Sequence, residues 1–416
     1  LKKEQTMERA VPFDLLDPGA FANPYPVYAQ MRAAVPVYWS DQIQSWVLTR
    51  YDDVLALARD PRLATGWRQL PMGRPLTPEE QDDIREIERL RISLLGSLNG
   101  QDHLRQRTLV QAAYTPRVVE QMRGFIQAKV DALIDGLAPH GRMDFIRDIA
   151  LPLPLAVTYY LIGVPPEFQE TVKAGADALL DSLFLHNPPP GQIGALLRLA
   201  KAGEQRVREM IAQRRAQPQD DLLSQMLHAS QDGQRLREDE LCTLVYTLVL
   251  AGFETTVNLL GNGMLALLTH PDQLARLRAE PQLIESAVEE LLRFDTPALC
   301  VARTLSEDVQ VRDVTLRRGQ MAMLMIGAAN HDPEQFPDPE RVDLARTPNR
   351  LLSFGQGPHY CFGAALARLE AQILFCRLLE RLPGLRLDTA PETLEWLPSM
   401  IMRGLKALPL RFDPAL

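Results

Sequence analysis

From Leu241 to His270 the chain reads LCTLVYTLVLAGFETTVNLLGNGMLALLTH, and Pro271 stops it. A helix this long and apolar has two physical homes. One is a bilayer, which about 20 apolar residues can span; the other is the centre of a soluble core large enough to surround it. The interruptions decide between them. Glu254, Thr255, Thr256, Asn258 and Asn262 fall inside the stretch, and no basic or aromatic belt flanks it as a membrane span requires. The stretch is therefore expected to be the central helix of a large soluble fold. A carboxylate buried there is costly unless it is paired or functional, so Glu254 becomes a candidate functional residue. Thr247, Ala251 and Thr255 recur at i, i+4 and i+8 and share one face, while Glu254 points away from it.

The rest of the chain can enclose such a helix. It has 416 residues, 46% hydrophobic and 24% charged, an ordinary composition for a globular protein. Length alone would suggest about two or three domains. No linker or internal repeat divides the sequence, and the short break NPPPG (Asn187 to Gly191) is the nearest thing to low complexity, so one large domain over 1–416 is expected, with residues 1–10 as its flexible tail. That tail lacks the apolar run of a signal peptide or membrane anchor. Lys+Arg number 45 against Asp+Glu 53, a net charge of -8, which argues against a general nucleic-acid binder. Cys242, Cys300, Cys361 and Cys376 show no CxxC spacing, so neither a zinc site nor a redox pair is supported and a reducing cytoplasm fits best.

Periodicity gives a helix-dominated chain with a minority of strand near its two ends. PYPVYAQMRAAVP and YDDVLALARDP read as helices flanking the short strands PVYWS and SWVLTR. Val118 to Leu292 reads as almost entirely helical, Val309 to Ile326 as strands around an RRG turn, and Ala364 to Leu382 as a last long helix.

Just before that helix stands FGQGPHYCFG, residues 354 to 363. Free cysteines are commonly small core hydrophobes, the reading we give Cys242, Cys300 and Cys376. Cys361 differs, because Gly355, Gly357 and Gly363 surround it and a helix starts immediately after it. Glycines cluster where backbone must approach a ligand or adopt positive φ, and a helix start favours a thiolate. Three chemistries remain: a nucleophile with His359 as base, a phosphate loop (weak, since the P-loop lysine is missing), or a metal ligand such as the thiolate that holds a haem iron and favours O–O cleavage.

The decapeptide resembles the FGxGxHxCxG haem-binding loop of the cytochrome P450 family at every fixed position, through Phe354, Gly355, Gly357, His359, Cys361 and Gly363. AGFETT resembles the family's oxygen-binding segment AGxxTT. Together these imply a mainly α fold with small β-sheets, the cytochrome P450 fold, whose long central helix crosses haem b held by Cys361. On that resemblance Ala251 and Gly252 leave room for dioxygen, Thr255 hydrogen-bonds the oxygen being activated, and Glu254 relays protons from solvent. O–O heterolysis consumes two protons at one oxygen, so an acid and a hydroxyl are the minimum parts. Retaining this pair favours dioxygen over peroxide chemistry.

Further motifs extend the resemblance over nearly the whole chain. Taken alone, Glu290 and Arg293 in EELLR would be a surface ion pair of little worth; they resemble the ExxR motif, with Arg341 as the implied third member of a structural network. His103 and Arg107 in DHLRQR resemble the helix that binds the haem propionates, with Arg303 and His359 as the other donors and Arg105 facing outward. The resemblance fades at Ala64 to Leu98 and about Ala174 to Arg198, where substrate recognition varies. There Leu94, Leu95, Leu98, Leu179, Leu180, Leu183, Phe184 and Leu185 read as a lipophilic pocket, lined near the haem by Thr247, Leu250, Ala251, Leu299 and Ile401.

The resemblance implies a monomeric monooxygenase that hydroxylates or epoxidises a neutral polyketide, macrolide, terpene or steroid-like molecule of bacterial secondary metabolism. An enzyme coupling or rearranging substrates without oxygen insertion is an alternative; a non-catalytic haem sensor or carrier is another, which the Glu254–Thr255 pair disfavours. With no flavin motif, electrons are expected from a separate ferredoxin and its reductase, docking on Arg105, Arg350 and Arg368.

Overall fold

The computed structural model describes residues 13–65, 74–182, 188–231 and 233–414. Near the N-terminus, α1 (Tyr25–Ala34) leads into an antiparallel hairpin of β1 (Val37–Ser40) and β2 (Ser45–Leu48), followed by α2 (Tyr51–Arg59) and β3 (Leu63–Ala64). Then come α3 (Pro78–Ile92), a 3₁₀ turn over Leu95–Ser97, and α4 (Gly100–Ala113). The largely helical middle comprises α5 (Pro116–Leu137), α6 (Pro152–Ile162), α7 (Pro166–Asp181), α8 (Gln192–Ala216), α9 (Glu238–Thr269) and α10 (Ile284–Phe294). Two strands, β4 (Val301–Leu305) and β5 (Met321–Leu324), precede the closing helix α11 (Ala364–Arg381).

The five-strand sheet has the order β1-β2-β5-β4-β3, with β5 parallel to β2 and antiparallel to β4. Strands expected near the two ends of the chain thus meet in one sheet. One expectation needs correction. Within the stretch read as almost entirely helical, Arg142–Asp144 is a strand and pairs antiparallel with Pro409–Arg411.

Helix α9 is the apolar stretch that opened the sequence reading. Its first turn carries Glu238, Asp239 and Glu240, which complement the positive helix end. It ends at His270 because Pro271, the first residue of the following helix, disfavours helical backbone before it. Among the described residues it is the one single helix long and apolar enough to cross a membrane, yet 61% of its most apolar window is buried inside the protein. Val245, Val249, Leu260, Met264 and Leu267 are fully or almost fully inaccessible and belong to the main core. Each such side chain stabilises the fold by about 1.5–3 kcal/mol of burial. Close neighbours are possible because glycines face them. A Cβ on Gly252 would lie 2.8 Å from Thr158 Oγ1 of α6, and one on Gly263 would lie 2.9 Å from Phe375 Cζ of α11.

Candidate active site

The FGQGPHYCFG loop is a closed bend between the strand region and α11. The Cys361 N–H donates to Phe354 O across its neck at 2.8 Å, Tyr360 N–H donates to Gly357 O at 3.0 Å, and Gly355 N–H donates to Leu352 O at 2.7 Å. The glycines serve different needs. Gly357 has φ +73° and packs so closely on α2 that a Cβ would sit 2.6 Å from Ala58 O, whereas Gly363 looks into open space beside the cavity. Gly355 adopts φ +67° at the turn and is not part of the cavity wall.

Cys361 is half-buried and opens on a cavity with about 1370 Å³ of empty space, its mouth included. Backbone N–H groups of Gly363 and Ala364 reach its sulfur, and Arg107 and Arg368 stand near enough to favour the anion. Burial nevertheless pushes the thiol up. The bias toward thiolate that a helix start implies is present in the donors and is outweighed by desolvation in the protein alone.

One side of the cavity gathers His103, Arg107, Arg303, Phe354 and His359. The rings of His103 and His359 lie 4.0 Å apart, and Arg107 Nη2 donates to Tyr360 O at 2.7 Å. Burial drives Arg303 down to about 10 and lowers Arg107. Burial, with help from His103, Arg303 and Arg107, takes His359 down to about 3, and burial with Arg107 lowers His103. None of the four forms an ion pair with a carboxylate among the described residues. Such a cluster of unneutralised donors is suited to a ligand bearing carboxylates.

The opposite wall is the face of α9 that the i, i+4, i+8 spacing picked out. Thr247, Ala251 and Thr255 line the cavity together with Leu248, Gly252, Thr256 and Leu259. Thr255 Oγ1 donates to Ala251 O at 3.2 Å. Glu254 turns away from the cavity toward α7, where Lys173 and Asp177 pair and Asp181 follows one turn on. Burial raises the Glu254 carboxyl, Asp177 and Asp181 raise it further, and Lys173 opposes them.

Three of the expected pocket residues lie elsewhere. Leu250 packs into the main core, because the helical period puts Leu248 on the cavity side instead. Leu299 and Ile401 are joined by a Leu299 N–H to Ile401 O hydrogen bond of 2.7 Å and belong to the core beside β2 and β5. Alternation along that extended segment turns Ala298 to the cavity and Leu299 away from it. Of the leucines in the variable segments, Leu95 reaches the cavity wall, while Leu94, Leu98 and Leu179 pack in the core. Leu180 does not line the cavity, and Leu183, Phe184 and Leu185 lie outside the described residues.

Glu290 and Arg293 are 0% exposed, not a surface pair. Arg293 donates to both Glu290 oxygens at 2.8 and 2.9 Å. The third arginine is a correction: Arg346, not Arg341, donates from Nε to both carboxylate oxygens at 3.1 Å. Arg341 offers its main-chain carbonyl to Arg293 and Arg346 while its exposed side chain makes no contact with Glu290. The three arginines of the expected docking patch differ in their surroundings. Arg105 is paired with Glu240 on α9, Arg368 is paired with Glu289 and lies 4.2 Å over the Phe354 ring, and Arg350 alone is exposed.

One charged cavity residue escaped the sequence reading. Glu370 on α11 is 1% exposed, one of its oxygens has no partner, and burial raises its carboxyl well above the carboxylate range. Its position was visible as an acid on the apolar stripe of Leu366, Leu369, Ile373 and Leu374.

A mainly helical fold with a cysteine loop, a cationic pocket rim and a threonine-lined central helix defines a class, and comparison with known proteins agrees. The family profile Cytochrome P450 matches residues 168–402. The chain is 41% identical over 372 residues to "Cytochrome P450 107B1" of Saccharopolyspora erythraea, covering 89% of each protein. It is 37% identical over 405 residues to the "Vitamin D(3) 25-hydroxylase" of Pseudonocardia autotrophica, covering 96% of each. The solved structure of the Bacillus subtilis bacillaene polyketide synthase cytochrome P450 PksS superposes with a TM-score of 0.86 at 34% identity, over 96% of this chain and 100% of that one. The chain belongs to the cytochrome P450 family and is a cytochrome P450 monooxygenase.

Proposed function

We propose that the cavity takes haem b, which Cys361 Sγ would hold, and that the enzyme hydroxylates or epoxidises a neutral lipophilic molecule of bacterial secondary metabolism. One observation carries the reading. A single cavity presents a thiol with two backbone N–H donors, four cationic-type side chains without carboxylate partners, and the Ala251–Thr255 face of α9. Haem held by thiolate supplies the O–O bond cleavage. His103, Arg107, Arg303 and His359 would hold its propionates, and Phe354 and Gly363 line the same cavity. Thr255 holds a hydroxyl at the cavity wall, and Glu254 takes protons from the α7 side and passes them toward that hydroxyl. The raised Glu254 carboxyl keeps a proton available at higher pH than an ordinary glutamate would.

Substrate class follows from the wall. Apart from the four donors and Glu370, the cavity is lined by uncharged residues, including Leu95, Leu248, Pro297, Ala298 and Val301. Among the described residues nothing else there recognises a substrate charge, which favours a neutral polyketide, macrolide, terpene or steroid. The names of the polyketide-synthase and vitamin D relatives point the same way. Electrons come from a separate ferredoxin and reductase, with Arg350 as an exposed arginine near the loop.

The test is optical. Reduced protein under carbon monoxide is expected to show the red-shifted absorption of thiolate-ligated haem, and Cys361→Ser is expected to lose it. A histidine-type spectrum in the unaltered protein refutes the assignment.

A further inference from the structure

Between α3 and α4, residues 94–99 run across the cavity. Leu95 is 7% exposed, and Leu95 and Gly96 form part of the cavity wall. The segment is held at its two ends by different means. At the α4 end, Asn99 brackets the backbone of Thr65: its Oδ1 accepts from Thr65 N–H at 2.7 Å, and its Nδ2 donates to Thr65 O at 2.9 Å. Thr65 Oγ1 also donates to Leu98 O at 3.2 Å. At the α3 end, beside the core packing of Leu94 and Leu95, one side-chain hydrogen bond ties the segment to α9. Leu95 N–H donates to Thr247 Oγ1 at 3.1 Å, and that hydroxyl donates its own proton to Thr243 O, one turn back along α9, at 2.8 Å.

We propose that Thr247 is a specificity-determining residue: its hydroxyl latches the Leu95 amide over the cavity, and opening that bond admits bulky neutral molecules bearing carbonyl or hydroxyl oxygens. The inference rests on reading the cavity as the haem and substrate pocket. A threonine hydroxyl has one proton, and here it is fully engaged with Thr243. While the latch is closed, the Thr247 hydroxyl has no proton to give a substrate, and its neighbours Leu95, Gly96, Leu248 and Ala251 offer no side-chain donor. Recognition beside Thr247 then involves no hydrogen bond donated by a side chain. Once the bond opens, Asn99 and Thr65 remain as the hinge, and the Leu95 N–H becomes a donor facing the cavity. A carbonyl oxygen of a large neutral guest replaces the Thr247 hydroxyl as its acceptor, so the hydrogen bond lost on opening is regained on binding. Small guests fit without opening and gain nothing from it. Thr247 acts here through the segment it positions and is not a catalytic residue.

The test uses the haem-loaded enzyme and three variants. Thr247→Val keeps the shape without the hydroxyl, Thr247→Ala removes the hydroxyl without adding bulk, and Thr247→Ser keeps it. Hydrogen–deuterium exchange at the Leu95 amide is expected to rise about fivefold in T247V and T247A and to stay at the wild-type rate in T247S, as loss of one net hydrogen bond implies. The Thr65 amide, held at the hinge, is expected not to change. Stopped-flow binding supplies the second arm, with imidazole as the small probe and clotrimazole as the bulky one. Clotrimazole association is expected to accelerate several-fold in T247V and T247A, with imidazole unaffected. Unchanged exchange at Leu95, identical behaviour of T247V and T247S, or equal acceleration of both probes overturns the proposal. The carbon monoxide spectrum of each protein reports the thiolate separately, and amide exchange at Leu95 does not depend on that ligand, so failure of the haem assignment is distinguishable from failure of the latch.

Discussion

The Glu290 network offers the sharpest quantitative test, because two arginines five residues apart compete for one role. Glu290 is fully buried and receives two bonds from Arg293, two from Arg346 Nε, one from Asp343 N–H at 3.0 Å and one from Asn349 Nδ2 at 3.2 Å. Replacing it with alanine strands the buried Arg293 guanidinium, which keeps only the carbonyls of Asn330, Pro339 and Arg341. Removing one member of a buried pair costs about 3–5 kcal/mol. Arg346→Ala leaves Glu290 with Arg293 and is expected to cost about 2–3 kcal/mol, since it removes charge-assisted bonds without leaving a bare carboxylate. Arg341→Ala removes an exposed side chain with no contact to Glu290 and should fall within about 0.5 kcal/mol of wild type.

The assay is a urea titration followed by far-ultraviolet circular dichroism and by haem absorbance together. With an m-value of about 3 kcal/mol/M, a loss of 3 kcal/mol moves the midpoint by about 1 M, well above scatter. The expected order of damage is E290A, then R346A, then R341A. Equal damage from R341A and R346A would refute the assignment of the third arginine. A near-neutral E290A would refute the reading of this buried acid as the centre of a structural network.

Three further perturbations probe the cavity from its two sides. Glu254→Gln should slow coupled turnover by about 10²-fold. Asp177→Asn removes a like charge and frees Lys173, both of which lower the Glu254 carboxyl, so the alkaline limb of the pH–rate profile should move to lower pH; a shift to higher pH contradicts the proton-relay reading. On the loop side, Gly357→Ala forces a Cβ toward Ala58 O at a φ of +73° and should destabilise the enzyme by about 1–3 kcal/mol in the same urea assay, whereas an unchanged midpoint would mean that the loop can leave α2 freely.

What the sequence disclosed, and what it did not, follows the range of the interactions involved. The cysteine loop was legible because its bonds close within ten residues, as between Cys361 N and Phe354 O. The cavity face of α9 was legible because helical period alone puts Thr247, Ala251 and Thr255 together. Arg341 and Arg346 sit in the same short segment and carry the same charge, so only the path of the backbone could choose between them. Leu299 and Ala298 are neighbours, and a register of one residue decides which faces the cavity. Glu370 was the exception, a local signal in plain view that periodicity could have flagged.

The roof of the cavity is the part that pattern could not reach, and the physical reason bears on function. Its two tethers join residues 152 and 34 positions apart, Leu95 to Thr247 and Thr65 to Asn99, through single hydroxyl and amide groups. Neither tether leaves a periodic or compositional trace, since a threonine on a buried helix and an asparagine before a helix are both ordinary. Yet a net hydrogen bond of about 1 kcal/mol is small enough to be exchanged for a bond to a guest, whereas the Glu290 network is not. The chain therefore places strong, multiply bonded contacts where the cysteine must stay fixed and a weak, singly bonded one where a molecule must enter. The segment where resemblance to the family fades is the segment whose attachment is easiest to alter, and substitutions at position 247 are where the choice of substrate should first respond.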